Sequence, residues 1–250
     1  MPVRSAYKND PGLNKNRQNE DFIWVDDEVG LYIVADGMGG HEAGEIASEL
    51  AATTAGHYIA EKLKKQPVTL AAEVLRALLL EAGEAANQAV FEAAHQAEQD
   101  RKMGTTLVMA LIQASKAYIT HAGDSRAYLL HHSTLKQLTE DDSWSNFVRK
   151  STGAEGQAPP GIGHILTKAV GQSPPLEPSF SIVDLAPGDT LLLCSDGLWN
   201  MVDDDRLLAE LEAAGDHLDQ AVDRLVAAAN AAGGKDNISV VLVKLTAAAD

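Results

Sequence analysis

Four apolar segments of strand length, each with an aspartate at one end, are spread along this chain of 250 residues. The segments read LYIVADGMGG, AYITHAGDSR, TLLLCSDG and GGKDNISVVLV, and their aspartates are Asp36, Asp124, Asp196 and Asp236. A carboxylate at the end of a buried strand destabilises the fold unless a cation or hydrogen bonds satisfy it. Since Mg²⁺ and Mn²⁺ prefer oxygen ligands, four such strand ends indicate one shared metal site.

A simpler interpretation exists for each of these aspartates taken alone, because Asp-Gly is a common turn dipeptide. Taken together they favour a metal site. Two carboxylates ~4 Å apart repel by about 4 kcal/mol at an effective dielectric constant of roughly 20, so converging carboxylates would resist assembly without cations. Gly37, directly after Asp36, would also let its backbone carbonyl approach a cation closely.

Composition and charge exclude several classes of protein. Hydrophobic residues make up 45% and charged residues 22% of the chain, which is the globular range. A net charge of −16 argues against binding nucleic acid through a phosphate-neutralising surface. The single cysteine, Cys194, excludes an internal disulfide and a cysteine-based zinc cage. No long apolar span and no secretion signal are visible, so we expect a cytoplasmic protein that binds no membrane.

The order of predicted elements indicates the fold class. Strands are expected at 22–27, 30–36, 105–113, 116–122, 125–131, 180–185, 189–194 and 237–245, and helices at 42–65, 69–98, 203–213 and 217–232. These elements do not alternate as βαβ units, so we expect an α+β fold with packed antiparallel sheets and outer helices. No linker is visible, and residues 1–250 are expected to form a single domain.

Two connecting regions carry their own expectations. Short turns join the three strands between residues 105 and 131, which predicts an antiparallel meander. Residues 144–166 lose periodicity and contain Pro159-Pro160-Gly161, so they are expected to form a loop or flap.

Other catalytic interpretations of the same segments fail on spacing. DGMGGHEAGE lacks the final glycine of a dinucleotide-binding loop and the Gly-Lys-Ser/Thr of a phosphate loop. The acidic run 203–205 lacks the glycine of a calcium loop and is expected to cap the next helix. Cys194 is expected to be a small buried apolar residue, and Ser195 is not on a nucleophile elbow.

Three residues near the first hairpin could handle protons or anions. His41 follows the Asp36 loop and precedes a predicted helix, so it can reach the site as a proton donor or a water-orienting group. Lys15 and Arg17 could bind an anion.

Seven motifs together resemble one family. They are RQNEDF (17–22), VADGMGGHEAGEIAS (34–48), MGTT (103–106), HAGDSRAY (121–128), LTEDDSW (138–144), LLLCSDGL (191–198) and GGKDNISVVLV (233–243). Their order is that of bacterial PP2C-type (PPM) Ser/Thr protein phosphatases, and the resemblance runs from about residue 12 to residue 245.

The resemblance implies a four-layer α-β-β-α sandwich, in which helix pairs flank a central antiparallel β-sandwich and metal ions lie at one end. By position, Asp36 would bridge two core Mn²⁺ or Mg²⁺ ions, and the Gly37 carbonyl would bind the first. Asp196 and Asp236 would complete the second. Asp124 would hold a weaker third ion, shared with Asp196.

The resemblance also implies roles for residues around the ions. Glu20 and Asp21 would hold metal-bound waters, and Asn237 would support Asp236. His41 would help to protonate the leaving group.

The chain departs from the family pattern at two positions. The family arginine that binds phosphate lies five residues before the aspartate matching Asp21, and this chain has Asn16 there. Arg17, one residue later, is the first candidate for that role, and Lys15, one residue earlier, is the other. LTEDDS also has Asp142 where the family has histidine.

The resemblance therefore implies a metal-dependent phosphatase that hydrolyses phosphoserine and phosphothreonine with a metal-activated water. Its expected partners are phosphorylated proteins and a cognate bacterial Ser/Thr kinase that it opposes, with type VI secretion control as one setting; it is expected to act as a monomer. The alternative is a pseudophosphatase-like regulatory binding module. The intact aspartates favour the enzyme.

Overall fold

The computed structural model of this chain describes residues 2–14, 18–39, 42–65, 69–96, 103–152 and 162–246. The strands are β1 (Val3–Asp10), β2 (Asp21–Asp26), β3 (Leu31–Met38), β4 (Gly104–Thr105), β5 (Leu107–Gln113), β6 (Lys116–Ala122), β7 (Arg126–His131), β8 (Thr134–Gln137), β9 (Ser179–Asp184), β10 (Thr190–Cys194) and β11 (Ile238–Leu245). The helices are α1 (Glu42–Lys64), α2 (Ala72–Gln96), α3 (Trp144–Thr152), α4 (Asp196–Trp199), α5 (Asp204–Ala214) and α6 (Leu218–Ala231).

The strands of the described residues form two antiparallel sheets. The first has the order β1-β11-β10-β7-β8, and the second has the order β2-β3-β5-β6-β9, with β4 pairing with β3. Successive side chains of a strand point to opposite faces of its sheet. In β3, Ile33 and Ala35 therefore pack against helices, whereas Tyr32 and Val34 pack against the other sheet.

Three apolar clusters separate four layers. Helices α1 and α2 cover the second sheet, and α4, α5 and α6 cover the first. Between the sheets, Val34 and Val108 belong to the same cluster as Leu191 and Val241. These clusters confirm the α+β fold and its α-β-β-α layering.

The hairpin of β2 and β3 and the helices α1, α2, α5 and α6 confirm the predicted elements within a few residues. The predicted meander is wrong at its third strand. β5 pairs with β6, but β7 pairs with β10 and β8 in the other sheet. The chain crosses between sheets at Gly123, whose φ is 104° and where an added Cβ would lie 2.7 Å from a side-chain carbon of Thr106. This crossing leaves Asp124 at the end of the sandwich.

Several elements of the structure were not predicted from the sequence. β1 is a sheet-edge strand with mostly partly exposed residues. The start of the predicted flap is the helix α3, none of whose residues is buried, and residues 153–161 lie outside the described part. Asp203 caps α5 as predicted, since its carboxylate accepts the Arg206 N–H at 2.8 Å. Among the described helices, none has the length and apolar character needed to cross a membrane.

Candidate metal centre

The end of β3 places Asp36 through a dense set of backbone hydrogen bonds. The Asp36 N–H donates to the Thr106 hydroxyl at 3.0 Å. The Asp36 carbonyl accepts the Thr106 N–H and the Thr105 hydroxyl, each at 2.9 Å. These bonds give the MGTT motif a structural role, because they occupy the backbone of Asp36 and leave its carboxylate available for a ligand.

Gly37 must be glycine because the neighbouring backbone comes very close. An added Cβ would lie 2.0 Å from the Gly44 carbonyl oxygen and 2.5 Å from the Glu20 carbonyl oxygen. The Gly37 N–H also donates to that Glu20 carbonyl at 3.0 Å. Packing therefore requires a glycine here, and the expected binding of a cation by the Gly37 carbonyl stays a prediction.

Asp196 and Asp236 are brought together by another close approach. Asp196 is the first residue of α4, and Asp236 lies just before β11. Gly197 follows Asp196 and Asn237 follows Asp236, and an added Cβ on Gly197 would lie 1.9 Å from the Asn237 carbonyl oxygen. The Asn237 N–H donates to the Asp236 carboxylate at 2.8 Å, which orients that side chain.

The four strand-end aspartates meet at one open pocket of about 780 Å³ at the end of the sandwich. Asp36, Asp124, Asp196 and Asp236 all line this pocket, together with Gly37 and Glu20. The convergence predicted from the sequence is therefore present in the fold.

Buried polar residues support the floor of this pocket. Asp21 pairs with Asp36 across the β2–β3 ladder, and its Oδ2 accepts the buried Ser195 hydroxyl at 2.7 Å. The side-chain oxygen of Asn237 accepts the Glu20 N–H at 2.9 Å, and its amide donates to the Pro11 carbonyl at 3.1 Å. Asn237 thus joins the start of β11 to the segment that contains Pro11 and Glu20, which is distant from it in sequence.

Burial and neighbouring negative charges raise the pKa values of Asp36, Asp21 and Asp124. Burial, followed by the negative charges of Asp21 and Asp196, raises the pKa of Asp36 well above its usual value. Burial is also the main reason that the pKa values of Asp21 and Asp124 are each raised to about 7, and the charge of Asp196 adds to both. A cation in the pocket would offset this repulsion.

The donor set fits a hard divalent ion. Within the described residues, no three His, Cys, Asp or Glu side chains already form a ready-made metal cage. A Mg²⁺ or Mn²⁺ site differs from such a cage, because it combines one or two carboxylates with a carbonyl and several waters. In the same described part, Asp21 Oδ1 is buried without a hydrogen-bond partner, which leaves an oxygen for such a water or ion.

The backbone of Asp124 is held by a side-chain network that the sequence argument did not identify. The Trp199 indole N–H donates to the Asp124 carbonyl at 3.0 Å. The Arg126 guanidinium lies 3.6 Å from the centroid of the Trp199 ring. It also donates to both oxygens of Asp141, at 2.9 and 2.7 Å. The motifs HAGDSR and LTEDD contain Arg126 and Asp141, so these motifs were the sequence signal that could have indicated the network.

Asp142, where the expected family pattern has histidine, holds the turn before Asp124. Its carboxylate accepts the Gly123 N–H at 3.2 Å, and its own N–H donates to the Gly123 carbonyl at 2.9 Å. Lys168 Nζ lies 3.5 Å from Asp142 Oδ1 and offsets its charge.

Three of the site residues expected from the sequence, Arg17, Lys15 and His41, lie outside the described residues. His164, exposed and lining the pocket, was not considered from the sequence because it lies in the irregular segment before TKAVG. The remaining pocket-lining residues are Asn14, Gln18, Met38, Gly39, Thr106, Ile165, Leu166 and Gln172.

Comparison with known proteins identifies relatives along nearly the whole chain. A family model described as Protein phosphatase 2C matches residues 13–242. The chain is 34% identical over 246 residues to the serine/threonine phosphatase Stp of Listeria welshimeri, covering 97% of this chain and 91% of the relative. It is 38% identical over 221 residues to the protein phosphatase PhpP of Streptococcus pneumoniae, covering 86% of this chain and 85% of the relative.

Solved structures of phosphatases also resemble this chain over nearly its whole length. The serine/threonine phosphatase PstP/Ppp of Mycobacterium tuberculosis has a TM-score of 0.85 at 31% identity, covering 99% of this chain and 100% of that one. A PstP catalytic domain in complex with two manganese ions has a TM-score of 0.81 at 32% identity, covering 98% and 99%. PppA of Pseudomonas aeruginosa, described as a key regulatory component of its type VI secretion system, has a TM-score of 0.82 at 31% identity, covering 98% of both chains.

Proposed function

This chain belongs to the protein phosphatase 2C family and is a metal-dependent protein serine/threonine phosphatase, and we propose that the acidic pocket is its active site. One observation carries the proposal. Asp36, Asp124, Asp196 and Asp236 come from four separate segments of the chain and line the same pocket. Mutual repulsion makes such a gathering unfavourable without cations.

The core of the proposed site would take two divalent ions, Mn²⁺ or Mg²⁺. Asp36, the Gly37 carbonyl, Asp196 and Asp236 would hold them, since such ions prefer oxygen ligands. The two manganese ions of the PstP structure support this number. Asp124 and Asp196, which both line the pocket, would hold a weaker third ion.

The surrounding residues orient water and substrate in this proposal. Glu20, which lines the pocket, and Asp21, which lies opposite Asp36 in the β2–β3 ladder, would orient the waters around the ions. Asn237 orients Asp236 through its backbone N–H. His41 protonates the leaving group.

Phosphate binding is the role proposed for Arg17, with Lys15 as the other candidate. An arginine offers two parallel donors to phosphate oxygens, which favours Arg17.

Bound divalent ions supply Lewis-acid stabilisation of the phosphoryl charge and lower the pKa of water. Neither Cys194 nor Ser195 lines the described part of the pocket. Cys194 is buried and burial raises the pKa of its thiol, while the Ser195 hydroxyl is also buried and donates to Asp21. Direct attack by water, without a covalent phosphoenzyme, is therefore the proposed route.

The biological setting is part of the same proposal. The substrates are phosphorylated proteins, and the enzyme opposes a bacterial Ser/Thr kinase as a cytoplasmic monomer built from a single domain, residues 1–250. The likeness to PppA supports a setting in type VI secretion control.

Hydrolysis of p-nitrophenyl phosphate tests the proposed function. We expect turnover with Mn²⁺ or Mg²⁺, loss of turnover in EDTA, and recovery when Mn²⁺ is restored in excess over the chelator. The measurement is the release of p-nitrophenol at constant ionic strength. Full activity in excess EDTA would contradict the proposal.

A further inference from the structure

An exposed apolar surface lies at the start of α3. We call it the rim patch and define it as Trp144, Phe147 and Ile165. Their exposed fractions are 38%, 53% and 56%. The Trp144 and Phe147 rings stack on each other, with centroids 5.3 Å apart and planes at 28°. No residue of α3 is buried, so these rings are not part of the core.

The rim patch is continuous with the wall of the active-site pocket. The Trp144 N–H donates to the Ile165 carbonyl at 2.8 Å, and the Ser145 N–H donates to the Gly163 carbonyl at 3.1 Å. The segment bonded in this way includes Ile165, which lines the pocket together with His164 and Leu166. A peptide whose phosphorylated side chain enters the pocket would therefore have Ile165 of the rim patch at its side, with the Trp144 and Phe147 rings on the adjoining helix.

Apolar side chains are the part of this rim best suited to recognise a peptide. Stacked exposed aromatic rings mark interaction sites, because burying them in a complex removes apolar surface from water. Both cations of α3 have partners within the protein: Lys150 pairs with Glu140 at 2.6 Å, and Arg149 donates to the Asn146 side-chain oxygen. The other strongly exposed apolar residues in the described part include Tyr7, Val74 and Ile182, which lie on three different elements.

We propose that the rim patch binds a large apolar side chain that flanks the phosphorylated residue of the substrate protein. The enzyme then prefers phosphoserine and phosphothreonine sites with phenylalanine, leucine or isoleucine close by in sequence. This inference rests on the proposed function, since it takes the acidic pocket as the place where the phosphate binds.

Phosphothreonine peptides provide the test. Each peptide carries phenylalanine or alanine at one of about three positions on either side of the phosphothreonine. With Mn²⁺ present, we expect kcat/KM to be about tenfold higher with phenylalanine at one or more positions, as is typical for an apolar pocket. Phe147→Ser should abolish this preference and leave p-nitrophenyl phosphate hydrolysis unchanged, because that substrate has no flanking residue.

Two further variants separate recognition from general effects. Phe147→Leu keeps an apolar side chain and should retain most of the preference. Val74→Ser removes an apolar side chain of similar exposure, 49%, from α2 and should retain all of it. Circular dichroism checks that each variant is folded.

The outcomes distinguish the two proposals. If the wild type hydrolyses p-nitrophenyl phosphate but shows no apolar preference at any position, the rim-patch proposal is wrong and the proposed function stands. The same conclusion follows if Phe147→Ser keeps the preference or lowers both activities equally. If the wild type hydrolyses neither kind of substrate with Mn²⁺, the proposed function fails and the rim-patch proposal fails with it.

Discussion

At the scale of single residues, the four aspartates have different surroundings. Burial and the charges of its neighbours raise the pKa of Asp36 well above its usual value, and Thr105 and Thr106 hold its backbone. Asp124 is buried, lies just after the crossing between sheets and is next to the Arg126 network. These differences make the two aspartates the pair in which to test the proposed core role of Asp36 and outer role of Asp124.

Alanine substitutions should separate these two roles. Asp36→Ala should lower kcat by more than the roughly 100-fold that is typical for outer-shell partners of a metal, because it removes the proposed bridge. Asp124→Ala should lower activity and still bind two ions. Titration calorimetry with Mn²⁺ measures the stoichiometry of both variants. Loss of both core ions from Asp124→Ala would refute the division of roles.

At the scale of elements, the site depends on contacts that join segments distant in sequence. β7 leaves the crossing at Gly123 and carries Arg126, which pairs with Asp141 and lies against Trp199 of α4. Trp199 in turn holds the carbonyl of Asp124. α4 therefore contributes Asp196 at its start and a support for Asp124 at its end.

Arg126→Lys should weaken this support. Lysine keeps the charge but loses the paired donors and the planar contact with the indole ring. We expect half-maximal activity to require roughly tenfold more Mn²⁺, with kcat at saturating Mn²⁺ much less affected. The measurement is a Mn²⁺ titration of p-nitrophenyl phosphate hydrolysis.

Arg206→Lys is the matched control. Arg206 pairs with Glu210 on the surface of α5, away from the pocket lining, and its side chain is 62% exposed. An equal shift in both variants would show that Arg126 has no special role.

At the scale of the whole molecule, the acidic end of the sandwich couples metal binding to stability. A chain with a net charge of −16 gathers four aspartates around one pocket, so their repulsion opposes the folded state. Ions that bind only the folded state stabilise it in proportion to the logarithm of their concentration.

Thermal unfolding should therefore respond to Mn²⁺. At a free concentration about 100-fold above the dissociation constant, the stabilisation is about 2.7 kcal/mol, or a rise in Tm of roughly 5–10 °C for a chain of this size. Differential scanning calorimetry measures it. Sodium chloride at equal ionic strength should give a much smaller rise, and an equal rise would attribute the effect to general screening.

The sequence by itself determined most of the elements and the identity of the acidic residues. Helix-forming residues that end in lysines located α1 at 42–65, against Glu42–Lys64 in the structure, and an apolar segment located the last strand at 237–245, against Ile238–Leu245. These predictions succeed because helix propensity and the apolar content of a buried strand depend on residues close together in sequence. The resemblance to phosphatases rested on motifs that the fold brings together at one pocket.

Only the tertiary structure decided which strands pair and which side chains support the site. Turn residues at Gly123 allow either a hairpin or a crossing, and the choice is made by the partners of β7 in the other sheet. α3 has a short apolar stripe of Trp144, Phe147 and Val148, but none of its residues is buried and the chain after it is rich in proline and glycine, so its nine residues were expected to belong to a flap. The contact of Arg126 with Trp199 spans 73 positions in the chain (199 − 126), so no local pattern encodes it. Long-range contacts of this kind depend on how the layers pack, and they determine how the aspartates are held.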